Sequence, residues 1–526
     1  MGKKYKESCI EILKEKGPLL GSELRKHLVE RKGVTEGNAR AIINRLKNSR
    51  AFLSTDPVKL KHQELIYYLP FHDLRAKLKK VMPEHSVTFN RIYHALVEED
   101  GFLLWSEFAK ISAGVVDPSQ STRKSVINIF NDLKSLGMVE ELIHHEHIPV
   151  VVASEKWFPR KEDKSLAIRE RIKKLSFNKG LNENLLKWLG SMNLIGWDNS
   201  YVRDIQDFNV GYNGFYFDAI GYTYLWGLYR TKQKDELFDP ARNKAGSPVL
   251  IESILHRNTK RHDITSFITR VDNFCGPLDS NKNLKVIPIC FVNTVEKDAF
   301  NLARERGILI MKLSDVFGTK LAHSLQELQE IDPEKVNPQK LSSILDNINN
   351  SGRDGDFGNL KGYVFNFLVA SIFNDAGYKT NIGLHYKDSE GRKCECDIIY
   401  EDVDEIIACE VKGYDEGKEV KLGENEREPD SVKKFFERTC SIIHEVSGKT
   451  VIPVFITSGT FSQNAINYLV KKNNSKRMRP LLKHNFPSSI YYDRRDLMGY
   501  FGNKRKFKEH KRVLKEYFKP KINKSL

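Results

Sequence analysis

CECDIIYEDVDEIIACEVK, Cys394 to Lys412, is the stretch from which the rest of the chain can be read. The apolar run CDIIY is followed by an acidic turn, EDVDE, and a second apolar run, IIACEVK, which is the pattern of a β-hairpin. Three polar residues interrupt the apolar strands: Asp397 on the first, Glu410 and Lys412 on the second. Residues two apart on a strand share a face, so Glu410 and Lys412 project together while Val411 enters the core. The hairpin brings Asp397 toward that face. Two carboxylates and an ammonium on one sheet face suit a hard divalent cation and a water beside a phosphodiester. The carboxylates would hold the metal. The lysine would orient or deprotonate the attacking water, or steady the charge developing on phosphorus. Glu-x-Lys also occurs on many half-exposed strands, so the flanking elements decide between the two readings.

Upstream, Gly362 to Tyr378 (GYVFNFLVASIFNDAGY) has a helical apolar period. Downstream, SVKKFFERTCSIIHEV reads as a helix and TVIPVFITSG as a buried strand ending in glycine. The order is helix, strand, Asp strand, Glu-x-Lys strand, helix, strand, helix. This order with this motif resembles the PD-(D/E)xK nuclease superfamily, most closely its Mrr-type restriction endonuclease branch, over roughly Gly362 to Tyr500. The resemblance implies catalytic positions at Asp397, Glu410 and Lys412, with Asp397 and Glu410 as ligands of Mg²⁺, or of Mn²⁺ in its place. Two positions depart from the family pattern. Cys396 stands where the family has Pro, and Asn366 follows Gly362-Tyr363-Val364-Phe365 where the family often has Glu. The second departure removes one carboxylate from the metal side.

The 526 residues are 40% hydrophobic and 29% charged, a globular composition that is too long for one ordinary domain. No apolar run reaches spanning length, and MGKKYKES lacks the apolar core of a signal peptide. Seven scattered cysteines point to a reducing cytoplasm rather than a disulfide scaffold. Cys394 and Cys396 read as core residues, because no second Cys/His pair has zinc spacing. A net charge of +16 points to a polyanionic partner. Ten Lys/Arg against two Glu lie between Asn503 and Leu526, interleaved with Phe507, Tyr517 and Phe518. This segment reads as a basic tail that contacts a nucleic-acid backbone.

At the N-terminus, Tyr5 to Leu69 reads as a winged helix. Helices are predicted from Tyr5 to Lys16, Gly21 to Arg31 and Glu36 to Asn48, followed by two strands around a charged turn. The third helix carries Ala39, Ile42, Ile43 and Leu46 at helical spacing, with Asn38, Arg40, Asn44, Arg45 and Lys47 on its other face. Amide and guanidinium groups there suit base edges and phosphates. A second copy follows from about His85 to Ala153, with a third helix predicted from Ser121 to Leu136. Arg123, Lys124 and Asn128 are its candidate DNA contacts.

The region from Trp197 to Ala322 repeats the C-terminal pattern. FYFDAIGY carries Asp218, SPVLIESILHRN carries Glu252, and Val286-Ile287-Pro288 matches Val451-Ile452-Pro453. The lysine position is Ile254, so this second acidic pair, Asp218 and Glu252, reads as a degenerate site. His256 or Lys260 are candidates to replace the missing cation. Residues 323–359 are rich in turn formers and read as linker and hinge. Beyond the hairpin, Lys418, Lys421, Thr457, Ser458 and Gln463 are candidates for the phosphate side.

The chain thus reads as a multidomain α+β and α/β protein, two winged helices followed by two restriction-endonuclease-like α/β domains. Its parts are a winged helix over 1–80, a second over 81–153, a helical connector over 154–196, a degenerate PD-(D/E)xK-like domain over 197–322, a linker over 323–359, a PD-(D/E)xK nuclease domain over 360–502 and the basic tail over 503–526. The expected function is a cytoplasmic, Mg²⁺-dependent endonuclease on double-stranded DNA, with no membrane association. Restriction or anti-phage defence is what the family resemblance implies. One such site cuts one strand, so a double-strand break calls for a homodimer or for pairing with the middle domain. The alternatives are a DNA-binding regulator built on non-cutting nuclease folds and an RNA-directed nuclease.

Overall fold

Runs of buried β-branched and aromatic residues build two five-stranded sheets on one plan. In the computed structural model the chain is described except for residues 1, 141–142, 146–147, 159–163, 198–199, 205–206, 208–211, 213, 226–227, 229, 232–243, 276–284, 351–357, 475–485 and 520–526. The architecture is mixed α+β. The C-terminal sheet has Glu405–Lys412 at its centre. Lys393–Glu401 and then Asn381–Lys387 run antiparallel on one side, and Thr450–Thr457 and then Tyr491–Tyr492 run parallel on the other. The middle sheet centres on Ser247–Thr259. Ala219–Thr223 and then Tyr201–Val202 are its antiparallel side, Ile287–Val295 and then Leu309–Lys312 its parallel side. The register repeats as well. Leu250 lies opposite Pro288 and Glu252 opposite Cys290; Ala408 lies opposite Pro453 and Glu410 opposite Phe455. The literal repeat in the sequence therefore reports the same place in two sheets.

A helix leads each sheet: Ser165–Ser191 in the middle unit and Gly358–Asp375 in the C-terminal one. The stretch expected to be a connector is thus one helix, and it is deeply packed. Phe177, Leu181, Leu185 and Leu189 share a core with Val249 and Ile251 of the middle sheet and with Val364, Leu368 and Val411 of the C-terminal unit. Gly180 permits the close approach, because a Cβ there would lie 2.8 Å from the Tyr363 ring. The expected linker is also structured. Thr319–Gln329 and Pro338–Asn350 are helices, and Leu341, Ile344, Leu345 and Ile348 are fully buried. Residues 351–357 of the expected linker and hinge lie outside the described residues.

The expected basic tail is largely a docked helix. Lys508–Tyr517 buries Val513, Leu514 and Tyr517, and Phe507 and Phe518 beside it are buried too. The Ser371 hydroxyl lies 2.8 Å from His510 Nε2, and the Tyr517 hydroxyl donates to Asp346 at 2.7 Å. The interleaved aromatics are thus anchors, and the basic side chains cover the outer side. Residues 520–526 lie outside the described residues.

The N-terminal region contains two units with a common element order. The first has helices Gly2–Lys16, Gly21–Lys32 and Glu36–Asn48 and strands Leu19–Leu20, Leu53–Ser54 and Ile66–Tyr68. The second has helices Val87–Glu98, Trp105–Ser112 and Val126–Ser135 and strands Phe102–Leu104, Ile143–His145 and Ile148–Val152. In each sheet the last strand lies between the other two. The third helix of the second unit starts at Val126, five residues later than the apolar period suggested. Ser125 caps it by accepting the Asn128 N–H, which leaves Arg123 and Lys124 in the preceding loop. Among the described residues no helix is long and apolar enough to cross a membrane.

Because the Ser165–Ser191 helix belongs to the core of both sheets, Leu181→Ala should destabilise the protein by about 2–5 kcal/mol. Denaturant unfolding followed by circular dichroism measures this, and a loss below about 1 kcal/mol would contradict the shared core.

Candidate active site

The central strand of the C-terminal sheet alternates faces as its sequence requires. Ile407, Cys409 and Val411 join the core under the Gly358–Asp375 helix, while Ile406 and Ala408 pack on the other side against Phe435 and Phe436. Glu410 and Lys412 extend this second face to the end of the strand, where the packing stops and a cleft of about 890 Å³ begins. Asp397, half-buried, comes to the same place from the neighbouring strand. One of its oxygens accepts the Val411 N–H at 2.8 Å, and the other accepts the Asn366 amide at 3.2 Å. Asn366 therefore occupies the site rather than leaving a gap where a carboxylate was missing. Lys412 Nζ lies 2.9 Å from Glu410 and 2.8 Å from Asp430.

The electrostatics follow from this crowding. Burial, and then the Glu410 charge, push the Asp397 carboxyl well above the usual carboxylate range. Burial works against the Lys412 ammonium, but Glu410, Asp397 and Asp430 outweigh it and hold the lysine protonated. A protonated lysine can orient a ligand or balance anionic charge, but it cannot accept a proton. Asp430 was not singled out in the sequence. It lies eighteen residues beyond Lys412 in a polar loop, and only the fold brings the two together.

Two of the expected phosphate contacts have another role. Thr457 and Ser458 are fully buried, and their hydroxyls bond to the Lys412 and Tyr414 carbonyls. They fix the backbone after the central strand and do not face the cleft. Gln463 bonds to Asn467 on an exposed helix face, and Lys421 is exposed outside the cleft. Lys418 does line the cleft, with its ammonium 4.0 Å from the centre of the Tyr414 ring.

The middle sheet repeats the carboxylate geometry and fills it. Asp218 accepts the N–H of Ser253, the residue after Glu252, at 2.7 Å, just as Asp397 accepts that of Val411. Ile254, at the lysine position, is buried in the core. The missing cation comes from elsewhere. Lys110, on the Trp105–Ser112 helix of the second N-terminal unit, places its ammonium 2.7 Å from Asp218 and 3.3 Å from Glu252. Arg270 pairs with the other Glu252 oxygen at 2.9 Å. His256 and Lys260, the candidates from sequence, face other acids: His256 lies 3.3 Å from Glu107, and Lys260 lies 2.8 Å from Glu98. The space left around Asp218 is about 30 Å³. No sequence pattern marks Lys110, because its partners are over a hundred residues away.

On the N-terminal units, Asn38, Arg40, Asn44 and Arg45 are exposed along the Glu36–Asn48 helix, and half-buried Lys47 pairs with Asp56 at 3.0 Å. Arg123 and Asn128 are exposed in the second unit, where Lys124 pairs with Asp132. These eight residues do not enter the cleft. Among the described residues, no group of three or more His, Cys, Asp or Glu side chains gathers as a metal cage. The C-terminal donor set is two carboxylates. This suits Mg²⁺, which is commonly held by one or two carboxylates and keeps several waters.

The chain matches no protein-family model, no curated protein and no solved structure to which it was compared.

Removing the buried cation from the middle pair should be costly. Lys110→Met leaves Asp218 and Glu252 short of a counter-charge and should destabilise the protein by about 3–5 kcal/mol. Adding Asp218→Asn should restore part of that loss, and an additive double variant in denaturant unfolding would contradict the pairing. His256 gives a pH signature. Burial lowers it from 6.5 to about 4, so the folded protein keeps it neutral where the unfolded chain takes up a proton. Stability should therefore fall as pH drops from above 6.5 toward 4, by up to roughly 3 kcal/mol from this residue. His256→Gln should flatten that part of the pH–stability curve.

Proposed function

We propose that this chain is a metal-dependent endonuclease that hydrolyses DNA phosphodiester bonds at Asp397, Glu410 and Lys412. The observation that carries the reading is the convergence of these three side chains at the mouth of an open cleft, at the carboxyl end of the central strand. The order of helix, Asp strand, Glu-x-Lys strand, helix and strand supports reading the chain by its resemblance to the PD-(D/E)xK superfamily and its Mrr-type branch. Asp397 and Glu410 would hold Mg²⁺ or Mn²⁺. Such a cation, when bound, polarises a phosphoryl oxygen and makes a water a better nucleophile.

The chain's own residues supply position and charge. The Val411 N–H and the Asn366 amide fix the Asp397 carboxylate, so its geometry is set before any ligand arrives. Lys412, held protonated, faces the place where negative charge grows on phosphorus. Asp430 keeps its ammonium at the cleft side, and the hydroxyls of Thr457 and Ser458 hold the backbone behind it. The N-terminal units support a DNA-binding role as winged helices. Their helix–strand order and the exposed amide and guanidinium groups of Asn38, Arg40, Asn44 and Arg45 fit that reading. The middle unit, filled by Lys110 and Arg270, serves in this reading as a scaffold.

Incubation of the full chain with plasmid, linear and single-stranded DNA, with Mg²⁺ or with EDTA, tests the proposal. Cleavage should require the metal and should fall by at least about a hundredfold in Lys412→Ala, Glu410→Ala and Asp397→Ala. Glu252→Gln, in the filled site, should still cut. Salt-dependent binding of duplex DNA with no cleavage under any condition would move the reading to a DNA-binding regulator.

A further inference from the structure

Four of the seven acids that line the C-terminal cleft are ion-paired, Glu410 with Lys412 among them. Asp204 pairs with Lys179 at 2.6 Å, Asp430 with Lys412 at 2.8 Å and Glu416 with Arg494 at 3.2 Å. Four cations lining the same cleft are not. Lys361, Lys418, Lys434 and Arg438 have no carboxylate partner within ion-pair distance among the described residues. With a net charge of +16 many lysines and arginines of this chain have no acid to pair with, so it is the arrangement of these four around one cleft that requires an explanation.

Their placement is ordered. Lys361 stands in the first turn of the Gly358–Asp375 helix, whose Val364 and Leu368 pack with Ile398 and Ile407 on one face of the sheet. Lys434 and Arg438 stand about one turn apart on the π-helical segment Lys434–Thr439, whose Phe435 and Phe436 pack with Ile399 and Ala408 on the opposite face. Single π-turns inserted in α-helices are uncommon and recur at functional sites. Lys418 rises from the loop after the central strand. The cations thus come from both helical layers and from the loop between them, around a floor formed by Asp397 and Glu410. A small anion would occupy one such point. Cations distributed across both layers match a chain of anionic groups.

We infer that this rim is the track for a DNA backbone that crosses the end of the sheet from one helical layer to the other. One phosphate lies over Asp397 and Glu410, and the neighbouring phosphates fall to Lys361 on one side and to Lys434 and Arg438 on the other, with Lys418 between. Only the position of the scissile phosphate rests on the proposed hydrolysis. The rim itself is an inference about binding.

The test separates the two. A short fluorescein-labelled DNA is titrated with the full chain in EDTA, where no metal-dependent cutting occurs, and the affinity is measured over a range of salt. Lys434→Ala with Arg438→Ala should lower the slope of log affinity against log salt by about 2, one for each phosphate contact removed. Lys297→Ala with Arg304→Ala, exposed on the Lys297–Glu305 helix of the middle unit and not among the residues that line the cleft, should leave it unchanged. Arg438→Lys, which retains the charge, should recover part of the loss and guards against misfolding as the cause. An unchanged slope in the rim double variant overturns the inference, as does an RNA of the same length that displaces the DNA at lower concentration than DNA itself. If the rim variants bind and cut like the parent while Lys412→Ala cuts nothing, the rim falls and the hydrolysis reading stands. If the rim variants lose binding but the parent chain cuts nothing with Mg²⁺ or Mn²⁺, the rim stands and the hydrolysis reading falls.

Discussion

Two carboxylates held side by side at one end of a sheet, both at least partly withdrawn from water, form the constraint on which this molecule is built. The pairing is imposed by the backbone: in both sheets the N–H after the glutamate donates to the aspartate, which holds the acids side by side. Like charges this close in a medium of reduced dielectric repel by several kcal/mol. A sheet that keeps the pair must supply positive charge. The C-terminal sheet supplies it two residues along the same strand, from Lys412. The middle sheet has Ile254 there and draws on Lys110 and Arg270.

The borrowed charge shapes the assembly of the units. Lys110 ties the second N-terminal unit to the middle sheet, and it does not act alone. Arg171 of the long helix pairs with Glu99 and Glu107 of that unit, and Arg257 of the middle sheet pairs with Glu99 and Asp263. These groups are nearly all buried, so each is costly unless its partners are present, and the interface tolerates little sliding. The apolar side of the long helix meanwhile fuses the cores of the two sheets. Ionic pairing on one side and hydrophobic packing on the other fix the second N-terminal unit against both sheets.

How much of this was legible depends on how far apart in sequence the interacting residues lie. The hairpin, the sharing of a face by Glu410 and Lys412, and the repeat of Val286-Ile287-Pro288 at Val451-Ile452-Pro453 are local patterns of period two, and they read correctly as placement. The third helix at Glu36–Asn48 was bounded correctly by its apolar period, and the structure adds its cap, the Thr35 hydroxyl accepting the Asn38 N–H. Composition misled where polar residues flank buried apolar ones. Residues 338–350 look like linker, yet Leu341, Ile344, Leu345 and Ile348 form a helical stripe in the core. The basic C-terminal segment looks like a tail because lysines outnumber the Phe and Tyr residues that anchor it. Lys110 and Asp430 became visible only with the fold, and Asn366, which the sequence marks only as a lost carboxylate, takes its role there, because the reason for each is a partner brought near by tertiary contact.

The origin of the lysine also accounts for why one site is open and the other closed. A lysine on the same strand as its glutamate approaches along the sheet face, and it can balance the acids while the space in front of them stays clear. That space is about 890 Å³ at Asp397 and Glu410. A lysine from a different unit must enter through the front, and the helix that carries it occupies the place a substrate would take. About 30 Å³ remains at Asp218. Moving the compensating charge from the strand to another unit therefore does two things at once. It leaves the strand without a cation beside its glutamate, and it puts an interface where the other sheet has a cleft. A change at the Ile254 position alone would not reopen the middle site, because Lys110 and the helix behind it would still fill its mouth.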